Sequence, residues 1–164
     1  MKNEFKWAAI MSVVLLVWLT ALKFLGLQEP EQIDLFVFVV NIYYLLLFGL
    51  YIIAIRERKS RQRGYISRRD GFLTGLLITL FLVVLSPLNM AIFYFIINPG
   101  FFKVMIDFNI SNGVAAQVAE SDYNLSNYIF TSMLMNFVAG GVFSALGALL
   151  LQKIPNKQRY EPLA

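Results

Sequence analysis

Three carboxylates, Asp107, Glu120 and Asp122, are the side chains in this sequence best suited to acid–base chemistry. Two carboxyl groups whose pKa values are held apart can act as general acid and general base. The 164 residues include no histidine and no cysteine, which removes the commonest general base, the commonest zinc ligand and every thiol nucleophile. Because nothing in the spacing fixes the geometry of the three carboxylates, the sequence favours a solvated surface. It predicts no enzyme activity, no catalytic residue, no metal site and no cofactor.

Three asparagines, Asn41, Asn89 and Asn136, lie inside long apolar runs of the chain. Polar side chains inside a membrane either line a pathway or form hydrogen bonds between helices. No Asp, Glu, Lys or Arg lies near the middle of these runs, which argues against a proton relay. We expect interhelical hydrogen bonds worth roughly 0.6 to 2 kcal/mol each, and a polar pathway is the alternative.

The apolar runs that contain these asparagines predict the architecture. Hydrophobic residues make up 59% of the chain and the mean hydropathy is +0.66, whereas a soluble domain is about 45–50% apolar. A helix needs about 20 apolar residues to cross the hydrocarbon core of a bilayer. The sequence therefore predicts an all-α integral membrane protein of one domain. Its four transmembrane helices are expected at about residues 5–25, 34–56, 70–97 and 126–152.

The most polar stretch of the chain, IRERKSRQRGYISRRDG, joins the second and third runs. In a four-helix arrangement it falls on the same side as Lys2, Lys6 and the tail 153–164, whereas the other two loops carry a net negative charge. Short loops rich in Lys and Arg stay in the cytoplasm, so we expect cytoplasmic termini and a cytoplasmic basic loop over 56–70 near anionic headgroups. Only one aromatic side chain, Tyr65, accompanies the charges, so no nucleic-acid binding is predicted. The basic residues of the loop are Arg56, Arg58, Lys59, Arg61, Arg63, Arg68 and Arg69.

The segment between the third and fourth runs, residues 99–122, is amphipathic and its helical parts are too short to span a membrane. We expect a helix from Pro99 to about Ile110 that lies along the outer membrane surface as part of a small helical cap. Lys103 and Asp107, four residues apart, would share the face turned to water. The side chains expected to enter the membrane interface are Phe101, Phe102, Met105 and Ile106.

Three further features concern helix boundaries and packing. Ser67 has the spacing of an N-cap for the third helix, and Pro87 inside that helix predicts a kink, more plausibly a static bend than a hinge. Gly140, Ser144 and Ala148 recur at four-residue steps in the fourth run. Small residues at this spacing let a second helix approach closely. We expect that helix to belong to the same chain, with a second protomer as the alternative.

Short motifs in the second half of the chain carry a family resemblance, namely Ser86-Pro87, Pro99-x-Phe101-Phe102, Ala119-Glu120 and Tyr123-Asn124-Leu125-x-Asn127-Tyr128. They resemble the domain-of-unknown-function 4199 family, which consists of small bacterial membrane proteins with four helices. The resemblance extends more loosely over nearly the whole chain. It implies a four-helix architecture and a bacterial inner membrane, and it implies no activity, cofactor or catalytic residue.

Three functions compete on this sequence. A non-enzymatic accessory or structural membrane subunit, partnered by membrane lipids and by another membrane protein or a second copy of the chain, is the first choice. A small oligomeric transporter or channel for a solute or lipid is the alternative, suggested by the three asparagines and the proline. An enzyme acting on lipids through the surface carboxylates ranks last.

Overall fold

The computed structural model describes residues 2–154, so most of the predicted tail 153–164 lies outside the described residues. Within that range the chain forms helices and no β-strand, and an isolated antiparallel bridge joins Ile66 to Lys153. The helices are α1 (Lys2–Phe24), α2 (Ile33–Val40), α3 (Ile42–Arg61), α4 (Arg68–Ile92), α5 (Phe101–Ser111), α6 (Ala116–Asp122) and α7 (Leu125–Leu151).

Among the described residues, four helical stretches are long and apolar enough to cross a membrane. They confirm the predicted all-α class and the predicted number of candidate spans. Large apolar side chains stay exposed along all of them, for example Val17, Leu45, Val84 and Phe130. Such a surface is the kind that lipid tails cover. The four stretches are Lys2–Phe24, Pro30–Arg61, Arg68–Ile97 and Leu125–Leu151.

The second stretch differs from its predicted bounds. It begins with a 3₁₀ turn at Pro30–Gln32, continues as α2 and, after the single residue Asn41, runs on as α3 to Arg61. The first part of the predicted basic loop over 56–70 is therefore helical. The reason is local, because Arg, Lys and Glu are good helix formers and Glu57 pairs with Arg61 one turn later at 2.6 Å.

The turn that remains between α3 and α4 is short and well defined. Arg63 and Gly64 take left-handed backbone angles, with φ of 57° and 83°, which reverse the chain after α3. Ser67 then caps α4 as predicted, because its Oγ accepts a hydrogen bond from the backbone N–H of Asp70 at 3.0 Å. This turn holds the start of α4 beside the end of α3.

Helix α4 is the central element of the bundle. It packs most extensively on α7, then on α1, and more briefly on α3. The starts of α1 and α4 and the ends of α3 and α7 form one end of the bundle, here called the basic end. The opposite end, which carries α5 and α6, is called the α5 end. One apolar cluster, with Met11, Tyr51 and Ile78, lies toward the basic end, and a second, with Phe36 and Phe93, lies at the α5 end.

Helices α4 and α7 approach closely along a row of small residues, here called the seam. A Cβ atom on Gly75 would lie 2.9 Å from Ser144 Cα, and one on Gly140 would lie 2.6 Å from Thr79 Cγ2. Larger side chains do not fit at these points without a shift of one helix. The stripe identified in the sequence thus lies against a helix of the same chain. The seam consists of Gly71, Gly75 and Thr79 on α4 and Gly140, Ser144 and Ala148 on α7.

Helix α5 differs from its prediction in what covers its apolar face. It begins at Phe101, two residues after Pro99, and Phe101, Phe102 and Met105 are buried inside the protein and not turned toward the membrane surface. The physical reason is that these side chains meet an aromatic cluster of the bundle, including a ring of Tyr94 stacked 4.9 Å from that of Phe102. The helix therefore packs into the α5 end of the bundle.

The polar face of α5 and the residues between α5 and α7 make local contacts. Lys103 and Asp107 are exposed and form an ion pair at 2.7 Å, on the polar face that the sequence assigned to them. Ile106 is half-buried, whereas Phe101, Phe102 and Met105 are buried. Helix α6 follows, and Asn124 caps α7 by accepting a hydrogen bond from the N–H of Asn127 at 3.0 Å.

Candidate functional site

A cavity of about 260 Å³ lies within the α5 half of the bundle. Each of α1, α2, α3, α4, α5 and α7, as well as the π-helical turn Phe93–Ile97 after α4, contributes to its wall. Most of the wall is apolar and aromatic. The residues that line it are Leu15, Leu19, Phe36, Val40, Tyr43, Tyr44, Met90, Phe93, Phe101, Tyr128, Thr131, Ser132, Met135 and Asn136.

The packing of α3 against α7 sets the floor of the cavity. Toward the basic end the two helices meet through Phe143, whose ring lies 5.2 Å from that of Phe48 and 5.8 Å from that of Tyr51. The Tyr51 hydroxyl also shares a 2.8 Å hydrogen bond with Thr79 of the seam. The cavity lining reaches no deeper along α7 than Asn136, so the packed half of the bundle closes it on that side.

The roof of the cavity is the buried face of α5. Phe101 is almost fully buried, and its ring makes edge contacts with three other rings that belong to three different parts of the chain. The centroid distances are 5.4 Å to Phe36, 5.1 Å to Phe93 and 5.9 Å to Tyr128. Each geometry is an edge-to-face contact of the kind that aromatic pairs prefer. Phe101 thus connects α2, the π-helical turn after α4, and α7 above the cavity.

One face of α7 gives the cavity a polar edge. Tyr128, Thr131, Ser132 and Asn136 are spaced so that they follow one side of a helix. The Ser132 hydroxyl donates to the carbonyl of Ile129 at 2.8 Å. Within residues 2–154, the Tyr128 hydroxyl, the Thr131 hydroxyl and the Asn136 Oδ1 make no hydrogen bond. None of the lining residues carries a formal charge at neutral pH.

The cavity opens on the side where α7 faces α2 and α3. Thr131 and Met135 both line the cavity and are exposed, whereas the lining residues Val40 and Tyr44 opposite them are half-buried. A residue that lines a cavity and is also exposed marks an opening. The flank around this opening is apolar, with Leu134 half exposed beside it.

The three asparagines found in the sequence have different surroundings. Asn89 donates to the Ser12 hydroxyl of α1 at 3.1 Å, and Asn136 donates to the Ser86 hydroxyl of α4 at 2.8 Å. Asn41 instead donates to the Val37 carbonyl of its own helical stretch at 2.6 Å, and it is exposed. The expected interhelical bond is therefore absent for Asn41, because this side chain faces away from the neighbouring helices.

Pro87 lies on α4 between Ser86 and Asn89, which both form hydrogen bonds with other helices. Proline has no N–H, so the carbonyl of Val83 lacks its usual helical donor. Helix α4 nevertheless runs through Pro87 to Ile92, and a π-helical turn follows. That turn, which is wider than an α-helical one, lies beside the cavity, and the kink at Pro87 stays a prediction.

The carboxylates considered for acid–base chemistry lie elsewhere. Asp107 pairs with Lys103 on the exposed face of α5, and Glu120 and Asp122 are exposed on α6. None of the three lines the cavity. In the part of the chain that the structure describes, no group of three or more Asp and Glu residues could hold a metal ion.

Several basic residues tie helix ends together at the basic end. The Glu57 carboxylate on α3 accepts hydrogen bonds from Lys6 Nζ at 2.9 Å, Trp7 Nε1 at 2.6 Å and Arg61 Nη2 at 2.6 Å. Lys59 Nζ donates to the carbonyl of Leu151, the last residue of α7, at 2.8 Å. Part of the basic charge therefore holds α1, α3 and α7 in place.

A second set of polar contacts joins the loops at the α5 end. Buried Gln28 donates to the Leu19 carbonyl at 2.9 Å and accepts from Asn98 Nδ2 at 2.7 Å. Lys23 Nζ donates to the carbonyl of Ile97, at the end of the π-helical turn. These bonds fasten the α1–α2 loop to the turn that precedes α5 and so fix the upper rim of the cavity.

Sequence reasoning identified Asn136 but missed the rest of the cavity edge. The signal was present, because Tyr128, Thr131 and Ser132 occupy the same helical face as Asn136. The aromatic wall gave no such signal, since its other rings come from four separate elements, namely α2, α3, the π-helical turn and α5.

Comparisons with known proteins give one match. A family model with the description "Protein of unknown function (DUF4199)" matches residues 6–153 of the chain. No curated protein and no solved structure matches it.

Proposed function

We propose a role for this chain from its geometry, because it belongs to the DUF4199 family, whose description assigns no activity. The role is that of a non-enzymatic accessory membrane protein, which works in a complex with another integral membrane protein. The observation that carries this proposal is the closed floor of the cavity. A transporter needs a route from one side of the membrane to the other, and the seam and the Phe143 contacts fill the basic half of the bundle.

The interior polar groups support the same role. Two hydrogen bonds between helices, Asn89–Ser12 and Asn136–Ser86, stabilise a fixed arrangement of the helices. No charged side chain lines the cavity, so its lining offers neither an ionisable acid–base pair nor a binding charge for an ionic solute. A small oligomeric transporter or channel, the alternative, would have to place its pathway between copies of the chain.

We expect the protein, extracted in mild detergent after cross-linking in its native membrane, to migrate with one integral membrane partner at a fixed ratio. The purified chain alone, reconstituted in liposomes, should show no flux of potassium, chloride or protons above that of empty liposomes. Native mass spectrometry and ion-sensitive dyes measure the two quantities.

Two results would contradict the accessory role. One is a stable lone monomer under cross-linking. The other is a clear flux that disappears when Asn89→Leu breaks the bond to Ser12 while the variant stays folded. The second result would support the oligomeric transporter.

The orientation that we propose places the basic end, with both termini, in the cytoplasm of a bacterial cell and the α5 end outside its inner membrane. It is supported by the exposed arginines of the basic end, among them Arg56, Arg63 and Arg69. Anionic headgroups are the proposed contacts of these side chains.

Single cysteines test this orientation without background, because the chain contains no cysteine. Cysteine introduced by Gln32→Cys, in the turn before α2, should react with an impermeant maleimide added to intact cells. Cysteine introduced by Gln62→Cys, in the α3–α4 turn, should react only after the cells are opened. The reverse labelling pattern would invert the proposed topology.

A further inference from the structure

The chemistry of the cavity wall restricts what it can hold. The wall is mainly aromatic and aliphatic, and its lining contains no ionised side chain. An ionic group placed there would lose its hydration with no opposite charge to replace it, which is costly in a low-dielectric environment. The part of a ligand that enters the cavity is therefore uncharged.

The polar edge indicates which uncharged groups fit. Tyr128, Thr131 and Asn136 line the cavity, and within residues 2–154 the two hydroxyls and the Asn136 Oδ1 have no hydrogen-bond partner. Hydroxyls donate or accept a hydrogen bond, and an amide oxygen only accepts. A ligand with both a carbonyl and a hydroxyl would satisfy all three, in a region where unpaired polar groups cost free energy.

The opening indicates the direction of entry. Thr131 and Met135 place it on the lipid-facing flank between α7 and the α2–α3 stretch, beside exposed Leu134. An apolar cavity of about 150 Å³ holds a benzene ring, so the cavity of about 260 Å³ accepts the polar neck of a lipid and its first methylenes. The remaining chain would leave through the opening into the bilayer.

We propose that this cavity is a binding site for a neutral lipid with ester carbonyl and hydroxyl groups, of the diacylglycerol type. Tyr128, Thr131 and Asn136 hold the polar neck, and Phe36, with the aromatic wall around it, contacts the first methylenes. The site goes beyond the accessory role and does not depend on it, because a lipid can occupy the cavity whether or not a protein partner is present.

The test uses the full chain in phosphatidylcholine nanodiscs with a diacylglycerol that carries a photoreactive diazirine close to its ester group. After illumination, peptide mapping should place the label on cavity residues such as Tyr44 and Met135. An excess of unlabelled diacylglycerol should remove the label, and an excess of phosphatidylglycerol should not. Label spread evenly over exposed residues such as Leu45 and Phe130, or equal competition by phosphatidylglycerol, would overturn the proposal.

Variants at the polar edge sharpen the test. Thr131→Val and Tyr128→Phe each remove one hydroxyl with little change of shape, and each should reduce the specific label about fivefold, the effect of one hydrogen bond. Ser132→Phe should abolish it by filling the cavity. The matched control, Val142→Phe, places the same ring at an exposed position of α7 that lies beyond Asn136 and outside the cavity lining, and it should leave labelling unchanged. Unchanged labelling in both folded hydroxyl variants would also refute the site.

Discussion

Replacing Gly140 by leucine is expected to destabilise the folded monomer by at least about 3 kcal/mol, the upper range for overpacking a core. A Cβ atom on Gly140 would lie 2.6 Å from Thr79 Cγ2 and 2.7 Å from the Tyr51 hydroxyl. The larger side chain therefore has to push α7 away from α4 and break the Tyr51–Thr79 hydrogen bond. The measurement is the unfolding midpoint of the purified protein in detergent, followed by circular dichroism.

The adjacent glycine provides the control. A Cβ atom on Gly141 would meet nothing within 4 Å, so Gly141→Leu should keep the wild-type midpoint or exceed it, because leucine has the higher helix propensity. Should Gly140→Leu remain as stable as wild type and lose only self-association, the seam would be an interface between protomers.

Removing the ring of Phe101 is also expected to cause a large loss of stability. Phe101→Ala should cost about 3–5 kcal/mol of stability, the usual range for deleting a buried aromatic side chain. Phe101 is 1% exposed and contacts the rings of Phe36, Phe93 and Tyr128. Its loss would also enlarge the cavity, because Phe101 lines it.

The effect should be concentrated at the α5 end. Hydrogen exchange should speed up in α5 and in the loop before α2, and it should change least along the seam. The control is Phe130→Ala, since Phe130 is 66% exposed and has no ring contact among the described residues, so its loss should cost well under 1 kcal/mol. An equal loss of stability in both variants would show that the Phe101 contacts are not specific.

Properties that depend on one segment at a time could be predicted from the sequence. Continuous apolar runs gave the four candidate spans, and the four-residue spacing of Gly140, Ser144 and Ala148 indicated a close helix contact. The capping role of Ser67 depends only on residues within one turn of it. These features are local, so neighbouring residues contain enough information to specify them.

Properties that depend on which elements meet could not be predicted in the same way. The apolar face of α5 was visible in the sequence, but whether lipid or protein covers Phe101 and Phe102 depends on rings from distant parts of the chain. The same limit applies to Asn41 and Asn89, which are chemically identical and differ only in the surface that each one faces. The cavity also follows from distant packing, because it exists where α2 and α3 are not closed against α7.

The lysine contacts at the helix ends have an electrostatic consequence. The peptide dipoles of a helix add up to about half a negative charge at its C-terminus, and α4 and α7 run in opposite directions, so these partial charges lie at opposite ends of the bundle. Lys23 of α1 reaches the carbonyl of Ile97, and Lys59 of α3 reaches that of Leu151. Each long helix of the seam therefore ends against a cation from a neighbouring helix, whose charge is opposite to that of its C-terminal dipole. At each end, one of the carbonyls that lack a partner within the helix is thereby satisfied by protein, at the boundary where the dielectric constant falls.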